Sequence, residues 1–428
     1  MILDKMLRAR HMSKTISATK KLLSERGESN AASMASDLIE NFKTLDDEQK
    51  SEYFVHLSEK FNPSPADVLS AAELYAKDPT SDNFVWLMKV SESPRQELLR
   101  RLNRAPGGTH TIINMRHQVL KLLPKKPELK AVDADMQHLL NSWFNPGFLK
   151  MHQVDWRSPA HILEKIIQHE AVHEIDGWDD LRRRLQPDRR CFSFFHPQLP
   201  DEPLIFVEVA LLPDIAESIA PLVDKKSPAL ESNQYKCAIF YSISNCQPGL
   251  RGVSMGNFLI KRVAESLKKE FPTLKTFCTL SPIPGFMEWL GSHADLPLDH
   301  LKPAVLEKYQ EAIKVFNLKE KSWSDRLQNG WHPDLSSLKE KEALMALCAI
   351  YLLYYSPRRG GNSVAKFHLG NGAKLHRINW SGDLSKKGIK QSAGLMVNYL
   401  YDLDKVEDNH ERFVNGEVMY SRAVSQLV

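Results

Sequence analysis

The residues predict a mixed architecture, an N-terminal all-α helical bundle followed by an α/β domain. Three observations carry that expectation. Over roughly the first 150 residues, apolar positions recur at three- and four-residue spacing between proline and glycine breaks. Beyond about residue 157, short runs rich in β-branched and aromatic residues take over and alternate with helical segments. The chain's 428 residues, 42% hydrophobic and 26% charged, suffice for a large core and match the length of two or three domains. The boundary is expected near residues 145–157, giving domains 1–150 and 151–428.

In the first half, Asn30 to Phe42 carries apolar residues at helical spacing. Thr44, Asp46, Asp47 and Glu48 then supply acidic start chemistry for the next helix. Pro63-Ser64-Pro65 breaks the chain before a helix over Ala66 to Lys77. Further breaks stand at Asp78-Pro79, Pro106-Gly107-Gly108 and Pro124-Lys125-Lys126-Pro127, with helices at Pro94–Leu102 and Thr109–Leu123 between them. Helix after helix with short connections predicts a bundle.

In the second half, Ser158-Pro159 predicts a helix start, serine as the N-cap and proline in the first turn. Strands are expected at Arg190–Phe195, Leu204–Leu212, Cys237–Ser244 and Thr276–Leu280. Between the last two, Leu259, Val263 and Leu267 form the apolar face of a helix, with Lys261, Arg262, Lys268 and Lys269 elsewhere on it. Those cations suit a solvated helix face better than a phosphate site.

Composition excludes several classes. The net charge of +4 is the small difference between 57 basic and 53 acidic residues and makes no footprint for nucleic acid. No apolar run reaches the roughly 18 residues of a membrane span. Five cysteines (Cys191, Cys237, Cys246, Cys278, Cys348), none in a CxxC pair and most in apolar surroundings, suit a reducing compartment. The basic N-terminus, with Arg8, Arg10, Lys14, Lys20 and Lys21, continues into a helical pattern, so a cytoplasmic protein is expected rather than one with a transit peptide.

Four segments are candidates for chemistry. His169-Glu170-Ala171-Val172-His173 matches HExxH. The residues after it lack the extended HxxGxxH arrangement, and a chain with 16 histidines meets so short a pattern by chance; we read it as a decoy and expect no metal. Gln247 to Asn257 joins a strand to a helix through a glycine-bearing loop, which fits a phosphate cradle and an ordinary turn equally well. Leu280-Ser281-Pro282-Ile283-Pro284-Gly285-Phe286 fixes Ser281 at a strand end, either as a functional hydroxyl or as a cap on a rigid turn. Ala365 to Ala373 sets His368 in a short apolar run before Asn371-Gly372, which reads as a strand entering a hairpin.

Together these stretches resemble the malonyl-CoA decarboxylase family. The similarity runs in order through Glu170-Ala171-Val172-His173, Arg190-Cys191-Phe192, Gly249-Leu250-Arg251-Gly252-Val253, Phe258 to Val263, Leu280 to Phe286, Phe367 to Ala373, Arg377-Ile378-Asn379-Trp380 and Gly394 to Tyr399. The resemblance implies an N-terminal oligomerisation domain and a C-terminal catalytic domain like the GNAT acetyltransferase fold. It implies a catalytic histidine at His368 and a catalytic serine at Ser281, both also touching substrate. A CoA-binding loop falls on Arg251, Gly252, Val253, Ser254, Met255, Gly256 and Asn257, and a supporting pocket on Ser242 and Tyr401. Ser254 stands where some members carry glutamate. The ending Ser425-Gln426-Leu427-Val428 lacks the Ser-Lys-Leu of animal members, again favouring a cytoplasmic, bacterial-type protein.

The implied reaction converts malonyl-CoA to acetyl-CoA and CO2. The thioester carbonyl is its own electron sink, so no cofactor beyond the substrate's coenzyme A is expected, and the partners expected are malonyl-CoA and further copies of the chain, as a dimer or tetramer. The rival reading is an acyl-CoA-dependent acyltransferase on the same fold.

Overall fold

A computed structural model describes residues 2–25, 28, 30–253, 259–292, 294–296, 301–316, 330–358 and 361–428. The chain divides into two compact units: residues 1–150 with 195–204 and 247–255, and residues 151–194 with 205–246 and 256–428.

The first unit is built from α1 (Ile2–Leu23), α2 (Ala31–Lys43), α3 (Asp47–Lys60), α4 (Pro65–Lys77), α5 (Ser81–Ser91), α6 (Pro94–Leu102), α7 (Gly108–Leu122) and α8 (Lys130–Trp143). The expected punctuation sets their ends. Asp46 and Gln49 form a reciprocal capping box at α3, and Ser64 caps α4 with Pro65 in its first turn. Leu38, Phe54, Leu98, Ile112, Val119, Met136 and Leu140 are buried along the inward stripes of these helices.

Two buried arginines cross-link this unit. Arg95 Nε lies 2.8 Å from Asp135 and its NH1 donates to the Leu57 carbonyl at 3.2 Å. Arg116 Nε lies 2.8 Å from Asp133, and its NH1 donates to the Gly249 carbonyl at 2.8 Å. Gly249 approaches α7 so closely that a Cβ would meet the Ile113 carbonyl oxygen at 2.0 Å. Gln137 on α8 donates to the Gly252 carbonyl at 2.8 Å. The loop that opens the expected CoA segment is therefore fastened from both helices.

Among the described residues, the second unit holds a seven-stranded sheet of β1 (Lys150–Val154), β2 (Arg189–Phe195), β3 (Ile205–Leu212), β4 (Cys237–Asn245), β5 (Thr276–Thr279), β6 (Lys374–Asn379) and β7 (Met396–Tyr401), in the order β1-β2-β3-β4-β5-β7-β6. β2, β3 and β4 pair antiparallel, β4 and β5 run parallel, and β5, β7 and β6 are again antiparallel. The helices that matter to the site are α9 (Ala160–His169), α10 (Gly177–Arg184), α11 (Leu259–Glu270), α12 (Phe286–Gly291), α13 (Leu338–Ile350), α14 (Ser363–Gly370) and α15 (Val406–Val414), with a π-helical turn over Tyr351–Tyr355. α11 makes the crossover that a parallel β4–β5 pair requires, and Leu259, Val263 and Leu267 are its buried face.

On one side of the sheet Cys278 and Leu280 join Ala210, Ile239 and Met396 in a buried cluster, with Leu400 packed against it. Side chains alternate along a strand, so Thr279, Ser281, Tyr399 and Tyr401 face the other side.

Two expectations are corrected here. Ser158 is not the N-cap of its helix: its Oγ accepts the Asp155 N–H at 3.1 Å, closing the preceding turn, and α9 begins at Ala160. His368 does not lie on a hairpin strand but in the last turn of α14. Asn371-Gly372 ends that helix instead of turning two strands. No helix among the described residues is long and apolar enough to cross a membrane.

Candidate active site

Ser281 lies two residues beyond the end of β5, after Leu280. It exchanges backbone hydrogen bonds with Val397 of β7, at 2.8 Å and 2.9 Å, which fixes its register. The turn beyond it is equally constrained. The Pro284 carbonyl accepts the Tyr351 hydroxyl and the Asn362 amide, each at 2.9 Å. Gly285 has φ +80°, and a Cβ there would lie 2.8 Å from the Tyr351 hydroxyl. Phe286, Trp289, Tyr351 and Tyr355 pack ring against ring behind the turn. The two prolines and the glycine thus do what their chemistry suggests, holding Ser281 in one place.

His368 reaches the same point from α14. Asn362 caps that helix by accepting the Ala365 N–H at 2.9 Å, while its amide holds Pro284. One side chain therefore ties the serine turn to the histidine helix. At the other end Gly372 has φ +80° and lies against Val406 of α15, where a Cβ would meet the Val406 carbonyl oxygen at 2.0 Å. Asn409 donates to the Gly372 carbonyl at 3.1 Å.

The two elements meet in a buried hydrogen-bonded chain. His368 Nε2 lies 3.1 Å from Ser281 Oγ, and its Nδ1 lies 2.9 Å from the Tyr401 hydroxyl. Ser281 Oγ donates to Thr279 Oγ1 at 2.9 Å, and the same oxygen accepts the Tyr399 backbone N–H at 3.1 Å. The Tyr399 ring stacks on the imidazole with centroids 4.7 Å apart. Burial brings the His368 pKa down to about 3 and raises Tyr401 well above its ordinary value. The pair is thus a neutral imidazole beside a protonated phenol.

Of the expected site residues, Ser281, His368 and Tyr401 are brought together. Ser242, on the neighbouring β4, is engaged elsewhere: its Oγ is 2.7 Å from both carboxylate oxygens of Glu170. That carboxylate also accepts the Val172 and His173 N–H groups, both at 2.8 Å, and Ser244 Oγ at 3.2 Å. The HExxH pattern is explained by this cluster. α9 ends at His169, so the two histidines do not share a helical face, and Glu170 closes a turn.

In the expected CoA loop, the Arg251 side chain is exposed, Gly252 has φ +77° and Val253 is buried. Ser254, Met255, Gly256 and Asn257 lie outside the described residues. Among the cations of α11, Lys261 pairs with Glu407 at 2.8 Å and Arg262 lies over the Phe194 ring at 5.5 Å, in keeping with a helix face.

Comparison with known proteins fits this arrangement to a family. Residues 147–428 match the family model for the malonyl-CoA decarboxylase C-terminal domain, and residues 61–144 match that for the N-terminal domain. The chain belongs to the malonyl-CoA decarboxylase family. Mitochondrial malonyl-CoA decarboxylase from the goose Anser anser anser is 40% identical over 338 residues, 75% of this chain and 67% of the goose protein. The mouse protein is 37% identical over 356 residues, 77% of this chain and 70% of its own. Two crystal structures of malonyl-CoA decarboxylases are similar almost throughout. That from Rhodopseudomonas palustris has a TM-score of 0.84 at 43% identity, covering 97% of this chain and 99% of its own. That from Agrobacterium vitis has 0.81 at 42%, covering 96% and 99%.

Within this malonyl-CoA decarboxylase fold, sequence reasoning missed Thr279, Asn362 and Tyr399. Each is an unremarkable residue for its element, and only the third dimension aims it at the pair. Glu170 lay inside a matched stretch, but its role was hidden by the resemblance to a zinc motif.

Proposed function

We propose that this chain is a carboxy-lyase that converts malonyl-CoA to acetyl-CoA and CO2. The observation that carries the reading is the buried 3.1 Å contact between Ser281 Oγ and His368 Nε2, in a chain of this family. Breaking the bond to the carboxylate sends its electron pair into the thioester, giving CO2 and an enolate, which a proton then converts to the acetyl group. The thioester takes up that electron pair, so no added metal or organic cofactor is needed. A neutral His368 supplies an N–H to the developing enolate oxygen, a preorganised donor in a water-poor site. Ser281 either holds the departing carboxylate or shares the proton network with His368. Arg251 to Asn257 hold the phosphates of coenzyme A, and the exposed Arg251 guanidinium supports this.

The test is carboxyl-labelled malonyl-CoA supplied alone to chelator-treated protein. Labelled CO2 and one acetyl-CoA per turnover are expected. Release that requires an amine or alcohol acceptor would mean an acyltransferase instead. His368→Asn is expected to lower kcat by roughly 10²–10³ while leaving affinity for coenzyme A intact.

The working form is a homo-oligomer, dimer or tetramer, assembled through the helical unit. Support comes from α4 and α5, which expose Leu69, Leu74, Phe84, Val85, Trp86 and Met88. Trp86→Glu is expected to shift the mass in light scattering toward the monomer. The compartment is the cytoplasm, supported by five buried free thiols. Microscopy of a tagged chain in its own cell checks this.

A further inference from the structure

We propose that Thr279 is a positioning residue: it takes the Ser281 hydroxyl proton and thereby fixes which nitrogen of His368 carries hydrogen.

The directions of the hydrogen bonds carry the argument. Thr279 is wholly buried, and its Oγ1 receives two donors, the Tyr399 N–H at 3.1 Å and the Ser281 O–H at 2.9 Å. With its one proton committed to Thr279, Ser281 Oγ meets His368 Nε2 at 3.1 Å as an acceptor, so the hydrogen must be on Nε2. A neutral imidazole then leaves Nδ1 bare, and that nitrogen accepts the Tyr401 O–H at 2.9 Å. Tyr401 and Thr279 thus act from the two ends of one chain and impose the same tautomer. Burial keeps the imidazole neutral, in agreement with that assignment.

The opposite polarity has different chemistry. If Ser281 donated to Nε2, His368 would stand as a base beside a hydroxyl nucleophile, as an acyl-enzyme mechanism requires. The arrangement found points the serine proton away from the imidazole. His368 is thereby kept as a donor, and Ser281 is kept from attacking the thioester. For the turnover it affects, this inference rests on the decarboxylase reading above; the polarity itself does not.

Two variants and one spectroscopic measurement test it. Thr279→Val keeps the shape and removes the acceptor, so Ser281 is free to donate to Nε2 and move the hydrogen to Nδ1. We expect kcat on malonyl-CoA to fall roughly tenfold with KM within about twofold, and Thr279→Ser to restore it. Nitrogen-15 NMR of histidine-labelled parent protein should give His368 the signature of a protonated Nε2 and a bare Nδ1, with that signature lost in Thr279→Val. A parental protein with Nδ1 protonated, or a Thr279→Val enzyme with unchanged kcat, overturns the proposal. Parent protein that releases no CO2 from malonyl-CoA overturns the substrate reading instead, while the nitrogen spectra still decide the polarity of the network.

Discussion

At Gly285 two demands meet, a left-handed φ of +80° and a space already taken by the Tyr351 hydroxyl 2.8 Å from where a Cβ would lie. Gly285→Ala is expected to cost about 1–3 kcal/mol, read as a lower urea midpoint, and to reduce turnover because the same turn positions Ser281. Ser281 itself was legible in the sequence, since two prolines and a glycine after a strand announce a held turn. His368 was legible as a candidate but not in its setting. Phe367-His368-Leu369 offers too short a pattern to separate helix from strand, and Asn371-Gly372 serves as well for a helix stop as for a hairpin. Thr279 was not legible at all. A threonine in a strand is ordinary, and its oxygen matters only because Tyr399 and Ser281 converge on it from outside the strand.

At the scale of elements, the four expected strands match β2, β3, β4 and β5 within a residue or two, because runs such as Cys237 to Asn245 and Thr276 to Thr279 are rich in β-branched and aromatic residues, while β1, β6 and β7 were not foreseen. Their partners were not foreseen. That β7 lies between β5 and β6 depends on pairing across more than a hundred residues, which local pattern does not encode. Asn362 is the clearest link between elements, since it caps α14 and holds the serine turn with the same amide group. Asn362→Ala is expected to cost about 1 kcal/mol for the lost cap and more for the lost tether. The second effect should appear as a lower kcat in steady-state kinetics, with Asn362→Asp restoring the cap but not the donation to Pro284. A kcat equal to the parent's would mean that the packing of Phe286 and Tyr351 positions the turn unaided. The CoA segment illustrates the converse case: Gly249 and Gly252 looked like a phosphate loop, yet close packing against Ile113 and a left-handed φ account for both glycines without any ligand.

For the molecule as a whole, buried titratable groups make stability depend on pH. His368 protonates at about 3 in the fold, against about 6.5 in an unfolded chain. Between those values the unfolded state binds the extra proton. The contribution of His368 to stability therefore rises with pH up to about 6.5 and is lost as pH falls below it, by about 1.4 kcal/mol per pH unit. His173, brought down to about 4 by burial, acts in the same sense, and Glu208, pushed up to about 7 by burial, acts in the opposite one. Comparing parent with His368→Gln isolates the first. Urea midpoints measured at pH 6.5, 5.5 and 4.5 should fall less steeply in the variant, and equal slopes would show the imidazole to be solvated. A last consequence belongs to β7. Val397, Tyr399 and Tyr401, at alternate positions of that one strand, hold Ser281, Thr279 and His368 in turn. During synthesis the serine and histidine both precede it, so a ribosome-bound chain stopped short of Tyr401 carries the reactive pair unassembled. A chain truncated before Met396 is therefore expected to release no CO2 from malonyl-CoA, even though Ser281 and His368 are both present.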